Sequence, residues 1–102
     1  MRYQFNEFIL DTDRFELFKN GEHLNAEPQV IELLALLVDN GHRLVSKEEI
    51  NTRVWGGRIV SEAALSSRIK TARQLLGDSG RSQHMIRTVH KKGFRFVSTV
   101  TI

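Results

Sequence analysis

Between Ser61 and Gly77 the sequence sets a polar, partly cationic surface against an apolar one. On a helical wheel at about 100° per residue, Leu65, Ile69, Ala72 and Leu76 form one apolar stripe, and Ala63, Ser67, Lys70, Thr71 and Gln74 stand opposite it. Ser66 and Arg73 flank the polar face on one edge and Arg68 on the other. Side chains of these types suit one kind of chemistry. Small residues let a helix backbone come close to base edges, Thr and Gln can hydrogen-bond those edges, and Lys and Arg reach phosphate oxygens. A merely solvated helix face usually carries acids as well, and this segment has none after Glu62. The face therefore fits the major groove of a duplex.

A second cationic element follows. His90, Lys91 and Lys92 fall at the predicted tip of a hairpin whose strands carry Arg87 and Arg95. Such a tip can lie along a phosphate backbone or enter a minor groove. Trp55, the single tryptophan, reads first as a packing anchor, with its indole N–H available to a phosphate.

Other chemistry finds no support. Gly77-Asp78-Ser79-Gly80 has the wording of a serine-protease nucleophile loop, but it follows a predicted helix end in a chain of 102 residues, and we read it as a plain turn. His23, His42, His84 and His90 show no metal-ligand spacing and there is no cysteine, so neither a metal nor a cofactor is expected. Glu48 and Glu49 are adjacent and diverge on a helix, which excludes an acid/base pair. We expect no enzyme and no small-molecule substrate.

The elements that must position these residues are legible from their signals. Residues 1–27 read as short antiparallel strands. Tyr3, Phe5, Phe8 and Leu10 alternate with one break between Phe5 and Phe8, and Asn20-Gly21 marks a hairpin turn. A first helix starts at Pro28, buries Val30, Ile31, Leu33, Leu34, Leu37 and Val38, and ends at Asn40-Gly41, with Gly41 expected to turn left-handed. A second helix opens on the capping box Ser46-Lys47-Glu48-Glu49 and closes at Trp55-Gly56-Gly57. The third, with Ser61 as N-cap, runs to Gly77. Strands over about Met85–Val89 and Phe94–Val100 complete the chain. The expected class is α+β, a winged helix-turn-helix forming one domain over 1–102: a sheet over 1–27, a three-helix core over 28–77 and a wing hairpin over 83–102.

Charge follows the same division. Residues 1–45 hold four Lys/Arg against eight Asp/Glu, and residues 46–102 hold eleven against four. An acidic half joined to a basic half implies a polyanionic partner for the second. With no long apolar stretch, the expected location is cytoplasmic, at the nucleoid.

The run Glu27 to Val97 resembles the effector domain of OmpR/PhoB-type winged-helix transcription regulators, most specifically in Val54-Trp55, in Arg68-Ile69-Lys70 with Arg73, and in Thr88-Val89 before Gly93-Phe94-Arg95-Phe96. The resemblance implies a bacterial transcription regulator that binds specific duplex DNA, its third helix in the major groove and its wing in the adjacent minor groove. Carried over by position, it makes Ser67, Arg68, Lys70, Thr71, Arg73 and Gln74 helix contacts and Thr88, His90 and Lys91 wing contacts. It also makes Trp55 and Ser61 phosphate contacts and the loop 56–60 a surface for RNA polymerase. Many members carry a phospho-acceptor receiver domain first; this chain resembles the subgroup that begins with the DNA-binding domain, in which a membrane, helical-repeat or enzyme-like domain usually follows. A second protomer bound head to tail on DNA is a further expected partner. The alternative is a protein-interaction module using the same basic face.

Overall fold

The computed structural model describes residues 1–58 and 60–102. Four short strands, β1 (Arg2–Phe5), β2 (Phe8–Asp11), β3 (Glu16–Lys19) and β4 (Glu22–Leu24), form an antiparallel sheet in sequence order. The break between Phe5 and Phe8 is itself a hairpin. Asn6 turns left-handed at φ 50°, and Phe5 then stands opposite Phe8. Across the next turns Leu10 faces Leu17 and Leu17 faces Leu24, with Asn20 and Gly21 both at positive φ, as the Asn-Gly signal predicts. The alternation places Tyr3, Phe5, Phe8, Leu10 and Leu17 on the buried face.

That face lies on α1 (Pro28–Asp39), whose six predicted apolar residues are all buried together with Leu36. Helix α1 also touches α2 (Lys47–Trp55), α3 (Glu62–Leu75) and the strand β7 (Gly93–Phe96), so it is the common scaffold. Its two ends behave differently. Pro28 occupies the first turn as expected. At the C-terminus Gly41 does not take the left-handed conformation; His42 does, at φ 67°, and its N–H then donates to the Phe96 carbonyl at 2.9 Å. The Tyr3 hydroxyl donates to the Asp39 carboxylate. That bond, burial and the Asp39 charge together push the Tyr3 phenol up to about 12.

The wing is more than a hairpin. Strand β6 (Ile86–Val89) pairs with β7, and β7 pairs on its other edge with β5 (Val45–Ser46), giving the order β5-β7-β6. A two-residue strand has no periodicity for a sequence reading to find. The predicted second wing strand, extending to Val100, stops instead at Phe96. The chain then crosses back, and Thr101 exchanges backbone hydrogen bonds of 2.7 and 2.8 Å with Gln4. Phe5 meets Phe96 edge to face with ring centroids 5.0 Å apart, joining the two sheets through the core. No helix among the described residues is long and apolar enough to cross a membrane.

Gly93 is the close-approach point of the wing sheet. Its φ is +155°, and a Cβ built there runs into the Val45 carbonyl oxygen and lies 2.9 Å from the Ser46 Cα. Both obstacles are backbone, so neither can swing aside. Gly93→Ala is therefore expected to lower unfolding free energy by on the order of 3 kcal/mol, measured by urea denaturation, and to loosen Val45–Ser46 amide protection against hydrogen exchange. Wild-type stability with unchanged protection would contradict this account of the wing.

Candidate nucleic-acid interface

The two helices of the helix-turn-helix are held at their starts by side chains. Ser46 Oγ accepts from the Glu49 N–H at 3.0 Å, and the Glu49 carboxylate returns to the Ser46 N–H, so the predicted capping box forms. Arg43 grips the same carboxylate with two bonds of 2.8 and 3.1 Å, and this holds the Glu49 carboxyl below its usual range. Gly56, left-handed at φ 62°, closes α2 directly after Trp55. Trp55 is half-buried against the core, as the anchor reading expects. Ser61 caps α3 by accepting from the Ala64 N–H at 3.0 Å, leaving its hydroxyl proton free on an exposed residue. The loop 56–60 includes Ile59, which lies outside the described residues.

The wheel separates the faces of α3 correctly in the main. Leu65, Ile69, Ala72 and Leu76 are buried, whereas Ala63, Ser66, Ser67, Lys70, Thr71 and Gln74 are exposed. Two arginines depart from expectation. Arg68 is half-buried on the edge toward α1, where its Nε donates to Gln29 Oε1 at 3.2 Å. Arg73, expected as an exposed DNA contact, is instead largely buried. It is only 8% exposed, its Nε and Nη2 donate to the Ile86 carbonyl at 3.2 and 3.0 Å, and Nη2 also reaches Thr88 Oγ1 at 2.8 Å. Burial pushes its guanidinium down, and the nearby Asp78 charge acts in the opposite sense. Its position beside Ala72 becomes covered once β6 packs against that edge, which a wheel of an isolated helix cannot show. Arg73 is thus a positioning residue that orients Thr88.

Helix and wing are joined by a residue that sequence reasoning passed over. The loop after Gly77 is a turn, as expected, but its Asp78 is buried and works as a cap for the wing. Asp78 Oδ1 accepts from the Ser79 N–H (2.8 Å), the His84 N–H (2.9 Å) and the Ser82 hydroxyl (2.9 Å). Its Oδ2 accepts from the N–H groups of Met85 (3.1 Å) and Ile86 (3.0 Å). Burial alone would raise this carboxyl; the donors from Ile86, Ser79, Ser82 and His84 outweigh it and bring it to about 2. The only available signal was a single acid between a helix-ending glycine and a strand, which is too common to be read as a cap.

The wing tip consequently stands beside α3. Ser66, Ile69 and Arg73 of the helix and Thr88, His90 and Lys91 of the wing line one cleft. His90, Lys91 and Lys92 are all exposed, and Lys91 holds a left-handed φ of 63° in the turn closed by Lys92 N–H to the Val89 carbonyl at 2.9 Å. Arg87 is exposed too, but it stands across from Arg95, on the face of the hairpin away from Thr88. The structure thus exposes Ser66, Ser67, Lys70, Thr71 and Gln74 on α3, brings Thr88, His90 and Lys91 beside Ser66, half-buries Arg68, turns Arg87 to the other face of the hairpin and largely buries Arg73.

Removing the Asp78 acceptor should release the wing. Asp78→Asn is expected to cost on the order of 3 kcal/mol at neutral pH, because buried N–H groups lose their partner. The native carboxyl is depressed, so its contribution is complete above its unfolded value of about 4 and is lost as pH falls toward about 2. The stability gap between wild type and variant, followed by denaturant titration from neutral pH to pH ~3, should therefore shrink with acid. A gap constant across that range would rule out this role.

Comparison with known proteins agrees with this geometry. A family model described as "Transcriptional regulatory protein, C terminal" matches residues 21–96. The transcriptional regulator HilA of Salmonella typhi is 28% identical over 101 residues, which are 99% of this chain but 18% of HilA, so the chain spans about a fifth of that relative. The DNA-binding domain of Escherichia coli CadC superposes with a TM-score of 0.82 at 25% identity, covering 98% of this chain and 94% of that one. The Klebsiella pneumoniae RstA DNA-binding domain, solved in complex with its RstA box, matches in fold with a TM-score of 0.81 at 17% identity, covering 94% and 96%. With the winged-helix architecture in place and three-quarters of its length inside the family model, the chain belongs to the OmpR/PhoB-type transcriptional regulatory family, whose domains bind DNA and are not enzymes.

Proposed function

We propose that this domain gives a bacterial transcription regulator its sequence-specific grip on duplex DNA, with α3 in the major groove and the wing in the adjacent minor groove. One observation carries the reading: Ser67, Lys70, Thr71 and Gln74 are exposed together on α3, and the cationic wing tip lines a cleft with the adjoining edge of that helix at Ser66. Relatives that are regulators, and a fold neighbour solved on its DNA box, support it.

The roles divide by chemistry. Ala63, Ser66 and Ser67 are small and let the first turns of α3 approach bases. Lys70 supplies charge to a phosphate. Thr71 donates its hydroxyl proton to the Ser67 carbonyl at 3.1 Å, so it presents its methyl group and an accepting oxygen outward. That suits a thymine methyl or a base amino group. Gln74 keeps both donor and acceptor. Thr88, oriented by Arg73, together with His90, Lys91 and Lys92, would follow the backbone beside the minor groove, and Ser61 and Trp55 would meet phosphates at the start of α3 and the end of α2. Site of action would be the nucleoid.

Two protomers head to tail on direct repeats about one helical turn apart fit the charge division along the chain. The exposed Phe15, held at a left-handed φ of 52° in the turn between β2 and β3, gives the acidic N-terminal sheet an apolar point for the next protomer. RNA polymerase would be met through the loop 56–60.

Selection from a random duplex pool tests the reading directly, and failure to enrich any sequence would leave the protein-interaction alternative. On the enriched duplex, Lys70→Ala should weaken binding to every sequence and lower the slope of log affinity against log salt by roughly one. Thr71→Ala and Gln74→Ala should instead alter preference by about 1–3 kcal/mol per affected base pair; equal losses on enriched and random DNA would remove them from base reading. Lys91→Gly should relieve a left-handed conformation, leaving the fold up to about 1 kcal/mol more stable, while weakening DNA binding in anisotropy titrations. Undiminished affinity would take the wing tip out of the interface.

A further inference from the structure

Glu62 is the one carboxylate on α3, and it is also the one carboxylate lining the cleft between α3 and the wing. Its two oxygens each lie 3.0 Å from Nζ of Lys47, the first residue of α2. The Lys47 side chain is two-thirds covered, whereas Glu62 is 77% exposed. Glu62, in the first turn of α3, is favoured by that helix's dipole, but its pairing with Lys47 is not explained by folding. An exposed pair of this kind contributes little to stability, and a cation in the first turn of a helix is opposed by the helix dipole. The other polar groups lining the cleft are Arg73, held by the wing backbone, and Ser66, Thr88, His90 and Lys91, the groups assigned above to DNA.

Building on the DNA-binding reading, we infer that Glu62 is a selectivity residue: it holds Lys47 neutralised in the free domain and yields it to a backbone phosphate only when α3 is fully seated. On a poorly matched duplex the docking is loose, no phosphate comes within hydrogen-bond distance of Nζ, and Lys47 stays with the carboxylate. Glu62 meanwhile repels the approaching backbone. On the matched duplex a phosphate oxygen replaces the carboxylate, Glu62 turns to solvent through its exposed side, and Lys47 adds one counterion-releasing contact. The pair thus penalises nonspecific binding more than specific binding.

Duplex affinity measured across a salt series, for wild type, Glu62→Gln, Lys47→Gln and the double variant, tests this on both the enriched and a random duplex. Glu62→Gln should tighten random-duplex binding about three- to tenfold and steepen its salt slope by roughly one, while changing the enriched-duplex slope little, so that discrimination falls. In the Lys47→Gln background the same change should tighten binding much less. Unchanged random-duplex affinity and slope in Glu62→Gln, or equal tightening with and without Lys47, would overturn the inference while wild-type binding to the enriched duplex still upheld the DNA reading. Failure of wild type to bind any duplex would overturn both. The substitution is surface-exposed and isosteric, and thermal melting confirms that each variant is folded.

Discussion

Five hydrogen bonds converge on one buried carboxylate, Asp78, and the relation between α3 and the wing depends on them. A buried charge is tolerable only when its lone pairs are filled, and here the donors are mainly the backbone N–H groups of the segment that becomes β6. The carboxylate thereby converts the end of α3 into the start of the wing. Arg73 completes the junction from the helix side by bonding the Ile86 carbonyl, so the same stretch of backbone is held at both its donors and its acceptors. A hairpin attached only by a glycine loop could swing through a wide arc. Attached in this way, its tip stands beside α3, with His90 and Lys91 lining one cleft with Ser66.

The rest of the molecule supports that junction from below. Helix α1 packs against α2, α3 and β7 at once. The Phe5–Phe96 contact and the Gln4–Thr101 bridge tie the N-terminal sheet to the chain leaving the wing. Acidic side chains concentrate in the N-terminal half, and cations in the half that carries α3 and the wing. The ion pair between Lys47 and Glu62 places the one carboxylate of α3 inside the cleft that His90 and Lys91 line.

Most of the fold could be read along the chain because its signals are local. Pro28, the Ser46–Glu49 box, Ser61, Gly77 and Asn20-Gly21 each act within four or five residues, and each appears where expected. The misreadings share a cause. Strand β5, the early end of β7 at Phe96 and the left-handed His42 are all decided by partners distant in sequence: Phe94 for Val45, Gln4 for Thr101 and Phe96 for His42. The break at Asn6 was visible as a lapse in alternation, but only pairing of Phe5 with Phe8 makes it a hairpin.

For the site, the residues alone determined which types could read and hold DNA, because helical periodicity fixes that Lys70, Thr71 and Gln74 share a face opposite Leu65, Ile69 and Ala72. Tertiary structure decided which charges are free to act. Arg73 has the same side chain and nearly the same wheel position as a contact residue, yet β6 covers it and turns it into a brace, while Asp78, unremarkable in a glycine loop, becomes the anchor of the wing. The physical reason is that a charged group's role depends on what desolvates it and what bonds it. Those neighbours come from segments brought together only when the chain has folded.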